Sequence, residues 1–143
     1  MIPRGSLLAV ATLTLATAAV AAGGSHAVVT PKGELKWADA GIPGVTIAAV
    51  EGDMASGPSH FYLRYPAGFV SPLHHHSADH YVTTISGQLT LIVEGKENLL
   101  PPGSYFAQTG KAPHIARCEG KDDCVMFIDA RAAWDVVPEP PAK

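Results

Sequence analysis

Short apolar segments recur along the chain, and each is bounded by glycine, proline or small polar residues. Segments 45–50, 61–65, 80–85, 89–93, 105–108, 114–118 and 124–128 are rich in β-branched and aromatic residues. Pro66-Ala67-Gly68, Ser86-Gly87, Glu94-Gly95-Lys96, Pro101-Pro102-Gly103 and Thr109-Gly110-Lys111 punctuate them. Short extended runs separated by turn signals roughly every ten residues predict an all-β domain, a sandwich or barrel. Segment 114–118 is expected to pair with 124–128 across a five-residue loop, and helix is expected only over 129–134. Pro138-Glu139-Pro140-Pro141 is expected to form an extended tail outside any sheet, because proline cannot donate to a ladder.

The start of the chain follows a different pattern. Arg4 precedes a continuous apolar run over 7–20, and Ala19-Val20-Ala21 supplies small residues in an A-x-A arrangement. A basic start, an apolar stretch and such a site predict a secretory signal peptide over 1–22, cleaved after Ala21 or Ala22. An uncleaved amphiphilic anchor is the alternative. The run falls short of the ~20 residues that span a bilayer. The expected organisation is a signal peptide at 1–22, an N-terminal arm at 23–40, one barrel at 41–134 and a Pro-rich tail at 135–143. Export predicts a periplasmic or secreted protein. The formal net charge of −3 becomes −4 once Arg4 is lost. A mildly acidic surface argues against nucleic-acid binding, and no basic amphipathic segment suggests membrane attachment after cleavage. In an oxidising compartment Cys118 and Cys124 are expected to form a disulfide. A free Cys118 thiol, four residues past His114, is the competing reading.

The candidate chemistry lies in the histidines. Four of the seven fall between residues 74 and 80. His74 and His76 are two apart, so on an extended strand both point to one face and His75 points away. His80 follows the turn Ser77-Ala78-Asp79 and can swing back to the same centre, and His114 opens a later strand. Glycines bracket these positions. Gly68 is followed by five residues, His74, one residue, His76, three residues, His80, six residues and Gly87; Gly103 precedes His114 by ten residues.

That arrangement resembles the two motifs of the cupin superfamily over about residues 45–128. The first motif matches at every marked position except one, where His80 stands in place of the usual glutamate. The second is looser: Gly103 and His114 keep their spacing, Thr109 replaces a proline, Lys111 a glycine and Cys118 an asparagine. The resemblance implies a cupin-type double-stranded β-helix, or jelly-roll barrel, in a single domain. It implies metal ligands at His74, His76, His80 and His114, and a homodimer. Four histidines in place of three and a glutamate resemble a subset of small, exported bacterial cupins.

Four neutral imidazoles suit one divalent transition metal ion, Mn, Fe, Ni, Cu, Co or Zn, rather than Mg or Ca. Without a carboxylate the ion keeps its full charge, and octahedral coordination leaves two positions open. The site then favours Lewis-acid activation of a small anionic, chelating ligand over chemistry that needs a glutamate base. The expected activity is a metal-dependent oxidoreductase of dioxygenase or oxidase type. A non-catalytic module binding a small molecule or the metal, and a metal-dependent isomerase or lyase, are the alternatives. Asp79, Tyr81, Thr83, Tyr105 and Gln108 are candidates for orienting the ligands. His60 and Arg64 are candidates for lining a pocket. Trp37, Trp134 and Phe127 are assigned to core or dimer contacts.

Overall fold

The computed structural model of the protein describes residues 27–140. The expected signal peptide and His26 lie outside the described residues. Within them the strands are β1 (Ala38–Asp39), β2 (Thr46–Gly52), β3 (Ser59–Tyr65), β4 (His74–His75), β5 (His80–Ser86), β6 (Gln88–Val93), β7 (Lys96–Leu100), β8 (Tyr105–Gln108), β9 (His114–Glu119), β10 (Cys124–Ala130) and β11 (Val137–Pro138). They form two antiparallel sheets, one ordered β1-β2-β3-β10-β5-β8 and the other β11-β4-β9-β6-β7. No helix among the described residues is long and apolar enough to cross a membrane.

The period-two alternation produces the core. β3, β9 and β10 each alternate buried and half-buried positions along their length. Their inward residues, among them Phe61, Leu63, Ala116, Met126 and Ile128, fill the space between the sheets together with Val82, Leu89 and Leu91. Apolar side chains sealed from water on both inner faces hold the two sheets together. Gly87 turns the chain from β5 in one sheet to β6 in the other. Its φ is +78°, and a Cβ there would stand 2.7 Å from the Cα of Cys124, so no other residue fits without moving the backbone.

Three expectations about local structure are corrected. First, 114–118 and 124–128 do not pair as a hairpin. β9 lies between β4 and β6, whereas β10 lies between β3 and β5 in the opposite sheet. Both segments alternate with apolar residues inward, so the chain gains most by placing them face to face across the core, and the loop over 120–123 crosses the sandwich. The Cys118–Cys124 disulfide therefore joins the two sheets and is itself buried.

Second, 129–134 is not helical. Asp129 and Ala130 complete β10 opposite Tyr81 and His80. Beyond them Arg131 N–H donates to the Asp79 carbonyl and Trp134 N–H to the Met54 carbonyl. These backbone groups find partners in distant segments, which leaves a helix nothing to satisfy.

Third, the segment 137–139 is not a free tail. Val137 and Pro138 pair with His75 and His74, and Glu139 N–H donates to the Leu73 carbonyl. β11 is an edge strand, the place in a sheet where proline is tolerated.

Candidate metal centre

The two sheets bring the four spaced histidines to one end of the sandwich. His74 on β4 is the cross-strand neighbour of His114 on β9. His80 starts β5 in the opposite sheet, next to Ala130. His76 follows β4 and lies between the others. Its ring centroid is 4.9 Å from His74, 4.7 Å from His80 and 5.3 Å from His114. Ligand nitrogens of His74, His76 and His114 lie within 4.8 Å of one another, close enough to hold a metal ion. His80 stands a step back: it is outside that group of nitrogens, and its ring is 6.5 Å from that of His114.

All four rings are oriented in the same way. Each Nδ1 meets a backbone carbonyl: Pro72 for His74, Asp135 for His76, Ala78 for His80 and Ala112 for His114. A carbonyl can only accept, so each Nδ1 carries the proton and each Nε2 keeps its lone pair. This is the arrangement in which a protein commonly fixes the tautomer of a metal-binding histidine. Burial pushes the imidazoles toward the neutral form that binds metal. It lowers His76 to about 3 and His114 to about 4, and it holds His74 and His80 below the ordinary value. The donor set therefore fits a divalent transition metal.

The same burial has a consequence for the metal-free protein. Unfolded histidines accept protons near pH 6.5, while His76 and His114 in the fold resist until about 3 and 4. The unfolded chain then binds more protons below pH 6.5, so stability is complete above that pH and falls as the pH drops toward 4. The loss is on the order of 2 kcal/mol per group at pH 5. Thermal melts of EDTA-stripped protein should show a clearly lower midpoint at pH 5 than at pH 7.5. Equal midpoints would remove burial as the determinant of these two groups.

Two adjoining spaces meet at the cluster and share Leu63, Tyr65, His76 and Trp134 in their walls. An outer cleft of about 900 Å³ is lined by His74, His76 and Trp134 together with segments from both ends of the chain. An inner space of about 20 Å³ lies among the barrel core residues and touches His76, His80, His114 and Gln108. Trp134 lines both. It stacks on His76 at 4.0 Å between centroids and meets His80 and Phe61 edge-on at 5.0 and 5.1 Å.

A match to the cupin domain family covers residues 61–129. The chain belongs to the cupin superfamily.

Solved structures share its fold at low identity. An RmlC-like cupin from Shewanella frigidimarina superposes with a TM-score of 0.59 at 14% identity, covering 72% of this chain and 89% of that one. The polyketide cyclase RemF from Streptomyces resistomycificus gives 0.66 at 15%, covering 80% and 87%. The DMSP lyase DddQ from Ruegeria pomeroyi gives 0.62 at 17%, covering 78% and 64%. Among curated proteins none matches the chain significantly.

The candidates for orienting ligands or lining a pocket divide by strand phase. Gln108 points inward, across the β5–β8 ladder from His80. Tyr81, Thr83, Tyr105, His60 and Arg64 share the outward face of the six-stranded sheet, with Tyr62, Phe127, Thr83 and Tyr105 in one cross-strand row. Arg64 lies over the Trp37 ring at 3.8 Å, and His60 meets Glu51 and Asp129. This corrects the expectation that these five reach the site, since period two sends the neighbours of inward residues outward. Asp79 braces the rim, its carboxylate accepting from Gly110 N–H. His75 faces away from the cluster and pairs with Glu139.

Sequence reasoning missed the contribution of the chain end to this cupin. Trp134 packs against the hydrophobic core, in keeping with its assignment to core or dimer contacts, and it has a further role at the cluster. It packs against the histidines, Asp135 supplies the carbonyl for His76, and its carboxylate accepts from Ser77 N–H. The available signal was the β-branched pair Val136-Val137, which is compatible with a strand.

Proposed function

We propose that this cupin is a metal-dependent oxidoreductase of dioxygenase or oxidase type, with one divalent transition metal held by His74, His76, His114 and, as the fourth ligand, His80. Its substrate is a small, largely apolar molecule that chelates through an enol, phenol or diketone in anionic form. The observation that carries this reading is the pairing of an all-imidazole cluster with an apolar cleft to which the described residues bring no lysine or arginine. The charged residues lining that cleft are Asp39 and Asp135, while Ile42, Met54, Tyr65 and Phe69 supply apolar surface. Among the described residues no lysine or arginine meets a substrate anion there, which disfavours phosphorylated or multiply charged ligands. When bound, a divalent ion supplies the positive charge that draws and activates the chelating group. The protein's part is to keep the imidazoles neutral, fix their tautomers and bury the substrate body against Trp134 and Phe69.

A redox-neutral lyase, cyclase or isomerase is the second reading. It is favoured by the activities named for two proteins of this fold, a polyketide cyclase and a DMSP lyase. The test loads purified protein with Mn, Fe, Ni or Cu in turn and offers flavonols, catechols and β-diketones. Oxygen uptake is followed with an electrode and products by mass. Uptake with a product heavier by oxygen is expected. A product of unchanged oxidation state would transfer the assignment to the second reading, and tight binding without product would leave a binding module.

A further inference from the structure

Leu63, Val82, Leu91 and Met126 are among the residues that supply the hydrocarbon part of the wall of the inner space. Besides the imidazoles, its polar groups are the Tyr65 hydroxyl, the Trp134 indole and the Gln108 carboxamide. Strand register places them differently. Tyr65 is the partner of Cys124 at the disulfide end, about 20 Å along β3 from the histidine end at the usual rise of a strand. Gln108 is the direct partner of His80. The Gln108 side chain is sealed from solvent, at 6% exposure, and neither its Nε2 nor its Oε1 has a hydrogen-bond partner. Although Gln108 and His80 face each other across the ladder, neither carboxamide atom attains hydrogen-bond geometry with that ring.

A buried amide with both atoms unpaired is costly to the fold. Its presence beside a cluster of metal-binding character points to a partner that donates to Oε1 and accepts from Nε2. Size narrows that partner. A space of about 20 Å³ admits a water molecule and no organic substrate.

We propose that Gln108 holds a water-sized ligand against the inner side of the histidine cluster, while the organic substrate occupies the outer cleft. The cluster would then take its two kinds of ligand from two adjoining spaces, and Gln108 would be a positioning residue for the small one. This rests on reading the histidines as a metal site, so the experiment reports on the two ideas separately.

Wild type, Gln108→Leu and Gln108→Glu are loaded with Co²⁺, metal content is measured, and fluoride is titrated against the visible spectrum of the bound cobalt. Fluoride is the probe because it is the simple anion nearest water in size and accepts a hydrogen bond. Wild-type cobalt content is expected in both variants. Fluoride affinity is expected to fall roughly tenfold in Gln108→Leu, the effect of losing one hydrogen bond to a charged ligand. Gln108→Glu keeps the shape and serves if the leucine variant does not fold; its carboxylate repels fluoride, so affinity falls at least as far. Unchanged fluoride affinity at full cobalt content would overturn the proposal. Loss of cobalt in the variants alone would overturn it differently, showing that Gln108 serves His80. A wild-type protein that takes up no cobalt would sink the metal reading and this proposal with it.

Discussion

A His76→Ala protein purified beside wild type should carry almost no transition metal, and His114→Ala should behave alike, while His75→Ala keeps its full load. His76 is the central ring of the cluster, and with His74 and His114 it forms the group whose nitrogens lie within 4.8 Å of one another. Removing it leaves no three imidazoles that close together among the described residues. His75 is one position away in the chain and faces the other side, where it pairs with Glu139. Its loss should affect stability by no more than ~1 kcal/mol, the usual net worth of a single side-chain hydrogen bond. Metal content by mass spectrometry decides the matter. The melting temperature gives a second readout, because a ligand at a hundred times its Kd stabilises the folded state by about 2.7 kcal/mol. Added metal should raise the midpoint of wild type and His75→Ala by several degrees and leave His76→Ala where it is. Equal metal loss in the His75 variant would show that the strand phase is misassigned.

Trp134→Ala is the second substitution with a large expected effect, and it acts on stability and metal affinity together. The indole stacks on His76, meets His80 and Phe61 edge-on and lines both the inner space and the outer cleft. Truncating a buried tryptophan costs ~3–5 kcal/mol. This one is only half-buried, so about 3 kcal/mol is expected in urea unfolding. Water would also reach the back of His76, and the segment that presents the Asp135 carbonyl would lose its anchor. Metal affinity should therefore fall as well. Trp134→Phe keeps an aromatic face on His76 and should recover much of both losses. A Trp134→Ala protein with wild-type unfolding midpoint and metal affinity would mean that the chain end only lies beside the site.

The parts of the site that could be read from the chain are those with a local signature. The spacing of His74, His76 and His80, and the separation of His75 from them, follow from strand periodicity and one short turn. The bracketing glycines carry a local reason too, since Gly68, Gly87 and Gly103 all sit at a positive φ, which glycine adopts without steric cost. The alternation in 59–65 and 124–130 likewise marks the inward residues before any fold is known. Tyr81, Thr83 and Tyr105 show where such reading fails. Their types suit a polar pocket, but period two places them opposite His80 and Gln108. The phase of a strand has to be anchored on a residue known to point inward, and His80 could have served.

What the sequence determined by itself is the set of short strands, the inward and outward phase of most of them, and the four histidines at ligand spacing. These rest on interactions between residues close in the chain. Only the tertiary structure decided that β9 and β10 face each other across the core, that the disulfide joins two sheets, and that the chain end returns as an edge strand bearing Trp134 over His76. The unpaired amide of Gln108 beside a water-sized space belongs with these. Each depends on which distant surface a segment buries or which distant backbone group it satisfies. That choice is made by the free energy of the whole barrel and leaves no periodicity along the chain.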